Sequence, residues 1–318
     1  MTATAARATI RPENGHGQAD PNHLRRQPSW RRSRQLKGAM FTLPFALGFL
    51  AVFVLPLVWA VVQSVFTVQK SGAGFGGAVT VFAGFSNYLQ VFHDSVFWAS
   101  VLRVLLFACV QIPVMLALSL VMALLLDAFA SRAAGIFRIG LLIPHMVPGI
   151  VAALIWLYLY SPNLGPLHSV FGIDFYGADV VFFSIGNLLT WSVVGFNMLI
   201  IYGALRGVPR DLFEAARLDG AGEFRIAWSI KIPYVRGSLV LTGMLAIIAM
   251  LQIFNEPLVF RTATPQTVTS QFTPIMAIFN QAFTANNYNY AAALSVVLAV
   301  VVGIVSAVFY RLTNRSSS

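Results

Sequence analysis

Charge is scarce in this chain. Aspartate, glutamate, lysine and arginine together make up 10% of its 318 residues, against about 25% in an ordinary soluble domain. With 58% of its residues hydrophobic, the chain reads as a membrane protein rather than a soluble one. Cysteine is nearly absent: the single Cys109 excludes a disulfide within the chain and leaves no thiol pair for redox work. No G-x-x-x-x-G-K-[ST] occurs, so the chain lacks the phosphate-cradling loop of the P-loop kind. His93, His145 and His168 stand far apart without metal-ligand spacing. No cluster of carboxylates or histidines marks a membrane-embedded enzyme. Catalytic and metal-ligating residues are therefore not assigned.

What is abundant is apolar length. A helix needs about 20 apolar residues to cross the hydrocarbon core, and six stretches qualify: 39–66, 97–126, 137–160, 181–205, 237–260 and 290–312. They are too long and too continuously apolar for the alternating strands of a membrane β-barrel. The expected fold is all-α with six transmembrane helices. The first run is too long for a signal-peptide core and ends without a small-residue cleavage pattern.

Basic residues orient the spans. Of 21 Lys and Arg, all but Lys70, Arg103 and Arg261 fall on one side. Eight lie in residues 1–37, Arg132 and Arg138 flank the second loop, six flank the fourth, and Arg311 and Arg315 sit in the tail. Both termini and these loops are therefore expected in the cytoplasm of a multi-pass plasma-membrane protein. The net charge of +10 reflects this asymmetry and gives no reason to expect nucleic acid as a partner. Residues 1–37 read as a disordered basic tail that sets topology or touches anionic lipid, followed by a membrane domain over 38–315 and a short tail, 316–318. Gly72, Gly74 and Gly77 match G-x-G-x-x-G formally, but no strand precedes and no helix follows, so a flexible external turn is expected.

Proline punctuates the third run. Pro144 and Pro148 each remove a backbone donor, which predicts either a kinked helix packed inside a bundle or a loop leading into a shorter helix. Polar residues inside spans are costly and so mark candidate sites: Asn187, Thr190, Trp191, Ser192 and Asn197 in the fourth run, Gln252, Asn255 and Glu256 in the fifth, where Pro257 is expected to break the helix. These residues either meet a solute or hydrogen-bond neighbouring helices. Arg103, near the outer end of the second run, reads as a snorkelling anchor.

The loop over 209–233, PRDLFEAARLDGAGEFRIAWSIKIP, is polar and helix-forming between two apolar runs. Asp211 and Glu214 have the spacing of a capping box. Asp219-Gly220 is a helix stop that uses positive φ at glycine. A second helix, about 221–232, carries Phe224, Trp228 and Ile232 at spacings of four, and Pro233 marks the boundary with the fifth run. The pair either rests on lipid headgroups or faces a soluble partner.

Within this loop Glu214-Ala215-Ala216, Asp219-Gly220-Ala221 and Ile230-Lys231-Ile232-Pro233 resemble the EAA signature of ABC-importer permeases. Gly220 follows Glu214 by six residues and Ile230 follows Gly220 by ten. Ile232 stands where leucine is usual, and Gly237 where a proline often follows. FTLPFALGFLAVFVLPLVWAVVQSVF, RIGLLIPHMVPGIVAALIW and YAAALSVVL are also similar to the carbohydrate-uptake subfamily that includes the maltose and glycerol 3-phosphate permeases. The resemblance implies a type I importer bundle with cytoplasmic coupling helices. The loop would seat in a groove of a separate ATPase subunit, which binds the ATP and magnesium while this chain binds no cofactor. Glu214 would pair with a base on the ATPase, Ala215 and Ala216 would admit its backbone, and Asp219, Gly220 and Ala221 would form the turn. It also implies a second, different permease, two ATPase subunits and an extracytoplasmic solute-binding protein, in a bacterial or archaeal membrane. Trp191, Ser192 and Phe196 match one cavity-lining region of the family, and Asn255 and Glu256, with Gln252 beside them, a second. Thr262-Ala263-Thr264-Pro265 replaces the Gly-Gly-Pro often found next. An ion-gradient-driven secondary transporter is the alternative, but that class carries charge in several spans.

Overall fold

The computed structural model describes residues 29–70, 78–128 and 133–315. Residues 1–28 of the expected tail 1–37, the tail 316–318 and the Gly72-Gly74-Gly77 turn lie outside them. The chain divides into two compact units, one up to Leu57 and the other from Val58 onward.

In the first unit α1 (Ser29–Phe49) begins at Ser29, within the stretch expected to be a disordered tail, and continues into a π-helical turn, Leu50–Val54. There Leu55 N–H bonds Leu50 O, five residues back, one position before Pro56, which has no N–H of its own to donate. Phe45, Phe49 and Phe53 stack in succession along one side.

Helix α2 (Leu55–Ser64) enters the second unit and leads into an antiparallel hairpin, β1 (Phe66–Lys70) with β2 (Ala78–Phe82), in the register Phe66 opposite Phe82. Asn87 in α3 (Ser86–His93) locks the base of the hairpin, donating to Ser64 O at 2.8 Å and Phe66 O at 2.7 Å. Asp94 then caps α4 (Ser95–Ala128) by accepting from the amides of Val96 and Phe97, and takes a further bond from Tyr290 Oη at 2.7 Å.

The bundle is built on α4 and α8 (Val181–Leu205), with α12 (Arg236–Leu251) and α15 (Tyr288–Arg315) completing the main core. A second cluster, of Ala123, Leu126, Met198, Ile201, Leu205 and Val235, closes the end where α4 and α8 finish. The α4–α8 seam is polar at three places. The Gln111 amide donates to Gly186 O at 2.8 Å and Thr190 Oγ1 at 2.7 Å, and Ser119 Oγ donates to Met115 O and to Val194 O. In hydrocarbon, such bonds and small residues hold helices together where burial alone cannot.

Among the described residues four helices are long and apolar enough to cross a membrane, and two bent pairs bring the number to as many as six. The third run is one such pair. It breaks at Val147-Pro148, while Pro144 stays inside α5: α5 (Ala133–Met146) and α6 (Gly149–Tyr160) meet at 94°. Both halves are helical, so the structure is neither a single kinked span nor a plain loop before a helix. The fifth run differs too. Helix α12 stops at Leu251, and α13 (Asn255–Ala263) starts after a short non-helical step. The break precedes Asn255 and is not made by Pro257, which is buried in the first turn of α13, where a missing N–H costs nothing.

Gly195 lets α5 approach α8. A Cβ there would stand 1.8 Å from the carbonyl oxygen of Leu141, whereas one at Gly203, on the same helix, meets nothing within 4 Å. We expect Gly195→Ala to lower the unfolding midpoint of the detergent-solubilised protein through an overpacking cost of about 1–3 kcal/mol. Gly203→Ala stays within about 0.5 kcal/mol of wild type. Thermal unfolding followed by tryptophan fluorescence checks both.

Candidate functional site

The loop 209–233 folds as two arms about one glycine. Pro209 is the N-cap of α9 (Arg210–Leu218) and no side chain caps it. The capping box expected from Asp211 and Glu214 is therefore absent. Asp211 already has helical backbone in the first turn, where its charge favours the helix through the macrodipole. At the other end Gly220 has φ +79°. Ala221 N–H bonds Ala216 O at 2.9 Å and Gly220 N–H bonds Arg217 O at 3.0 Å, the paired bonds of a Schellman motif. A side chain at Gly220 would meet no neighbour, so conformation alone demands glycine. Arg217 and Glu223 bridge the turn at 2.8 Å. Both are more than half exposed, so the pair adds roughly 0.2–1 kcal/mol.

The second arm is not the regular helix expected from its fourfold spacing. It starts at α10 (Glu223–Ile226), passes through a π turn over Ala227–Lys231, and ends in α11 (Ile232–Tyr234). The π turn inserts one residue, which rotates the rest of the arm about its axis. Phe224 and Trp228 stay exposed, while Lys231 is buried. Its ammonium lies 2.7 Å from Asp127 Oδ2, near the end of α4, and 5.3 Å from the Phe213 ring of α9. The arm bends by 62° into α12 at Val235, so the boundary falls two residues beyond Pro233. Glu214, Ala215, Asp219 and Gly220 are exposed, and Ala216 and Ala221 half-buried. Among the described residues Glu214 makes no ion pair.

The polar residues of the spans divide by role. Asn187 and Thr190 are used inside the bundle: Asn187 donates to Tyr160 Oη at 2.8 Å and Thr190 accepts from Gln111. Arg103 is no lipid anchor, because its guanidinium donates to Phe272 O at 3.0 Å and lies 5.4 Å over the Phe272 ring. Trp191, Ser192, Phe196 and Glu256 lie at the α5–α6 segment. Phe196 stacks on His145 with ring centres 4.5 Å apart, and His145 Nδ1 is 3.1 Å from Ser192 O. Trp191 meets Trp156 of α6 edge-on at 5.9 Å. Glu256 comes from the other side: its Oε1 would stand 2.8 Å from a Cβ on Gly149, the first residue of α6. Asn255 and Gln252 are exposed beside it.

The two regions read from the sequence therefore flank one broken segment. Its own residues, His145, Gly149 and Trp156, are not among the solute-site candidates of the sequence; the signal that marks them is the proline pair. Trp156 Nε1 and Ser192 Oγ are buried without a hydrogen-bond partner, as is Asn197 Nδ2. Such unpaired donors are uncommon, and two of them sit at this cluster. Among the described residues no group of three His, Cys, Asp or Glu stands close enough to hold a metal ion.

The chain as a whole has known relatives. The family model for binding-protein-dependent transport system inner membrane components matches residues 95–317. The chain belongs to that family. The diacetylchitobiose uptake system permease NgcF of Streptomyces coelicolor is 30% identical over 331 aligned positions, covering 98% of this chain and 90% of the relative. The lactose transport permease LacF of Rhizobium radiobacter is 26% identical, covering 90% of this chain and 97% of the relative. A chain of a bacterial alginate ABC transporter, solved with its pentasaccharide-bound periplasmic protein, shares the fold with a TM-score of 0.78 at 15% identity, over 92% of this chain and 99% of that one. As a member of the family this chain is a multi-pass permease subunit of an ABC importer, a transport component and not an enzyme.

Gly149 and Glu256 are neighbours whose coupling is measurable. Gly149→Ala forces the Glu256 carboxylate aside, so we expect it to raise the KM of uptake. The double variant Gly149→Ala/Glu256→Gln should cost less than the sum of its parts. Transport kinetics of the four forms give the coupling energy.

Proposed function

We propose that this permease serves an ATP-driven importer of a sugar or related polyol, and that the loop 209–233 couples it to a separate ATPase. The observation that carries the coupling reading is the Gly220 turn. It presents Leu218 and Phe224, 89% and 82% exposed, on either side of a structured bend. Apolar side chains displayed on a rigid two-armed loop are suited to a protein groove. Glu214 pairs with a basic residue there, and Ala215 and Ala216 admit the partner's backbone. Asp219, Gly220 and Ala221 hold the turn.

In this reading the loop and both termini face the cytoplasm of a bacterial or archaeal cell. Two ATPase subunits bind ATP and magnesium, and their closure moves the loop as a rigid body. A second, different permease completes the pathway, and an extracytoplasmic binding protein delivers the solute. The sugar reading is supported by relatives named for diacetylchitobiose and lactose uptake. It is also supported by the chemistry of the α5–α6 break. Trp191 and Phe196 offer aromatic faces to the apolar side of a sugar ring, and Ser192, Gln252, Asn255 and Glu256 offer partners to its hydroxyls.

Gly220→Val tests the coupling role. A β-branched residue at positive φ costs about 1–3 kcal/mol of strain with no clash. We expect the variant to insert and to purify with its ATPase, while uptake from a panel of labelled disaccharides falls about tenfold or more. Uptake at the parental rate would sink the coupling role of the turn. Uptake that survives ATP depletion would favour an ion-gradient transporter instead.

A further inference from the structure

Asp127 is in an unfavourable place. It is the penultimate residue of α4, where the helix dipole already concentrates negative charge and a cation is preferred. It is also largely buried, with its side chain 15% exposed, and so is Lys231, at 8%. A buried pair of this kind is poor evidence for stability, since well-packed apolar residues often serve as well. What an ion pair supplies and an apolar contact does not is fixed geometry between two specific points.

Those points lie on the two bodies that must move together. Lys231 belongs to the π turn of the loop's second arm, and its ammonium also faces the Phe213 ring of the first arm. Asp127 belongs to α4, which runs 34 residues and is bonded through Gln111 and Ser119 to α8 beside Trp191. The Tyr234 hydroxyl, by contrast, donates to Gly207 O at the root of the loop itself. π turns inside helices are frequently functional, and this one turns Lys231 away from the exposed side of the arm.

We propose that the Lys231–Asp127 ion pair is the rigid link through which the loop drives α4, so that both are positioning residues for coupled transport. This rests on the coupling role proposed for the loop. α4 and the second arm then travel as one body when the ATPase acts, and the seam with α8 passes the motion to the α5–α6 break.

The native Cys109, exposed on α4, supplies one spin-label site and Ser229→Cys, on the π turn, the other. Distances are measured by pulsed EPR in the complex purified with its ATPase, without nucleotide and after trapping with MgATP and vanadate. With the pair intact, the 109–229 distance is the same in both states. In Lys231→Met it differs between them, and Lys231→Arg restores the constancy. If Lys231→Met does not fold, Lys231→Met/Asp127→Met removes both charges and leaves none unpaired, and the distance again differs between states. A wild-type distance that changes with nucleotide overturns the link, as does a constant distance in the methionine variants. Failure of any ATPase to co-purify overturns the coupling reading itself.

Discussion

A backbone that crosses hydrocarbon finds no water there, and each N–H and C=O must be satisfied by the protein. This chain nonetheless interrupts two of its long apolar runs, at Val147-Pro148 and at Gln252–Phe254, and most of its architecture follows from making those interruptions tolerable. The α5–α6 corner is held against α8 because Gly195 has no side chain, and against α13 because Gly149 has none. Phe196 stacks on the exposed His145 at the corner. The irregular backbone thus lies against the bundle, and two polar groups beside it, Trp156 Nε1 and Ser192 Oγ, keep spare hydrogen-bonding capacity.

The long helices were legible from length and composition, because a 34-residue apolar helix such as α4 leaves few alternatives. The breaks were only half legible. Two prolines announce a discontinuity but not its angle, which depends on what α8 and α13 offer to pack against. In the fifth run Pro257 pointed to the wrong side of the break, because a proline is as much at home in the first turn of a helix as just past its end. The loop shows the same limit. Gly220 was readable because positive φ is a local demand. The π turn was not, because its extra residue is useful only through a partner in another helix, Asp127, about 100 positions earlier in the chain.

Polar residues in spans carried two meanings that sequence did not separate. Asn187 and Thr190 are bonded to neighbouring helices, while Trp191 and Ser192, on the same helix, face the corner. Which side a residue takes depends on the rotation of α8, and that is set by Gly186 against Gln111 and Gly195 against Leu141. Small residues decided the placement of large ones.

Val235 is fully buried at the junction where the loop's second arm bends into α12. It can be regarded as a fulcrum. The twelve residues of Glu223–Tyr234 make a lever roughly 18 Å long at helical rise. A push of about 5 Å at its tip would swing it through roughly 16°. Lys231 is gripped one turn from the fulcrum, on the short side of the lever. In the coupling proposed above, the point that carries α4 is thus the part of the arm that moves least.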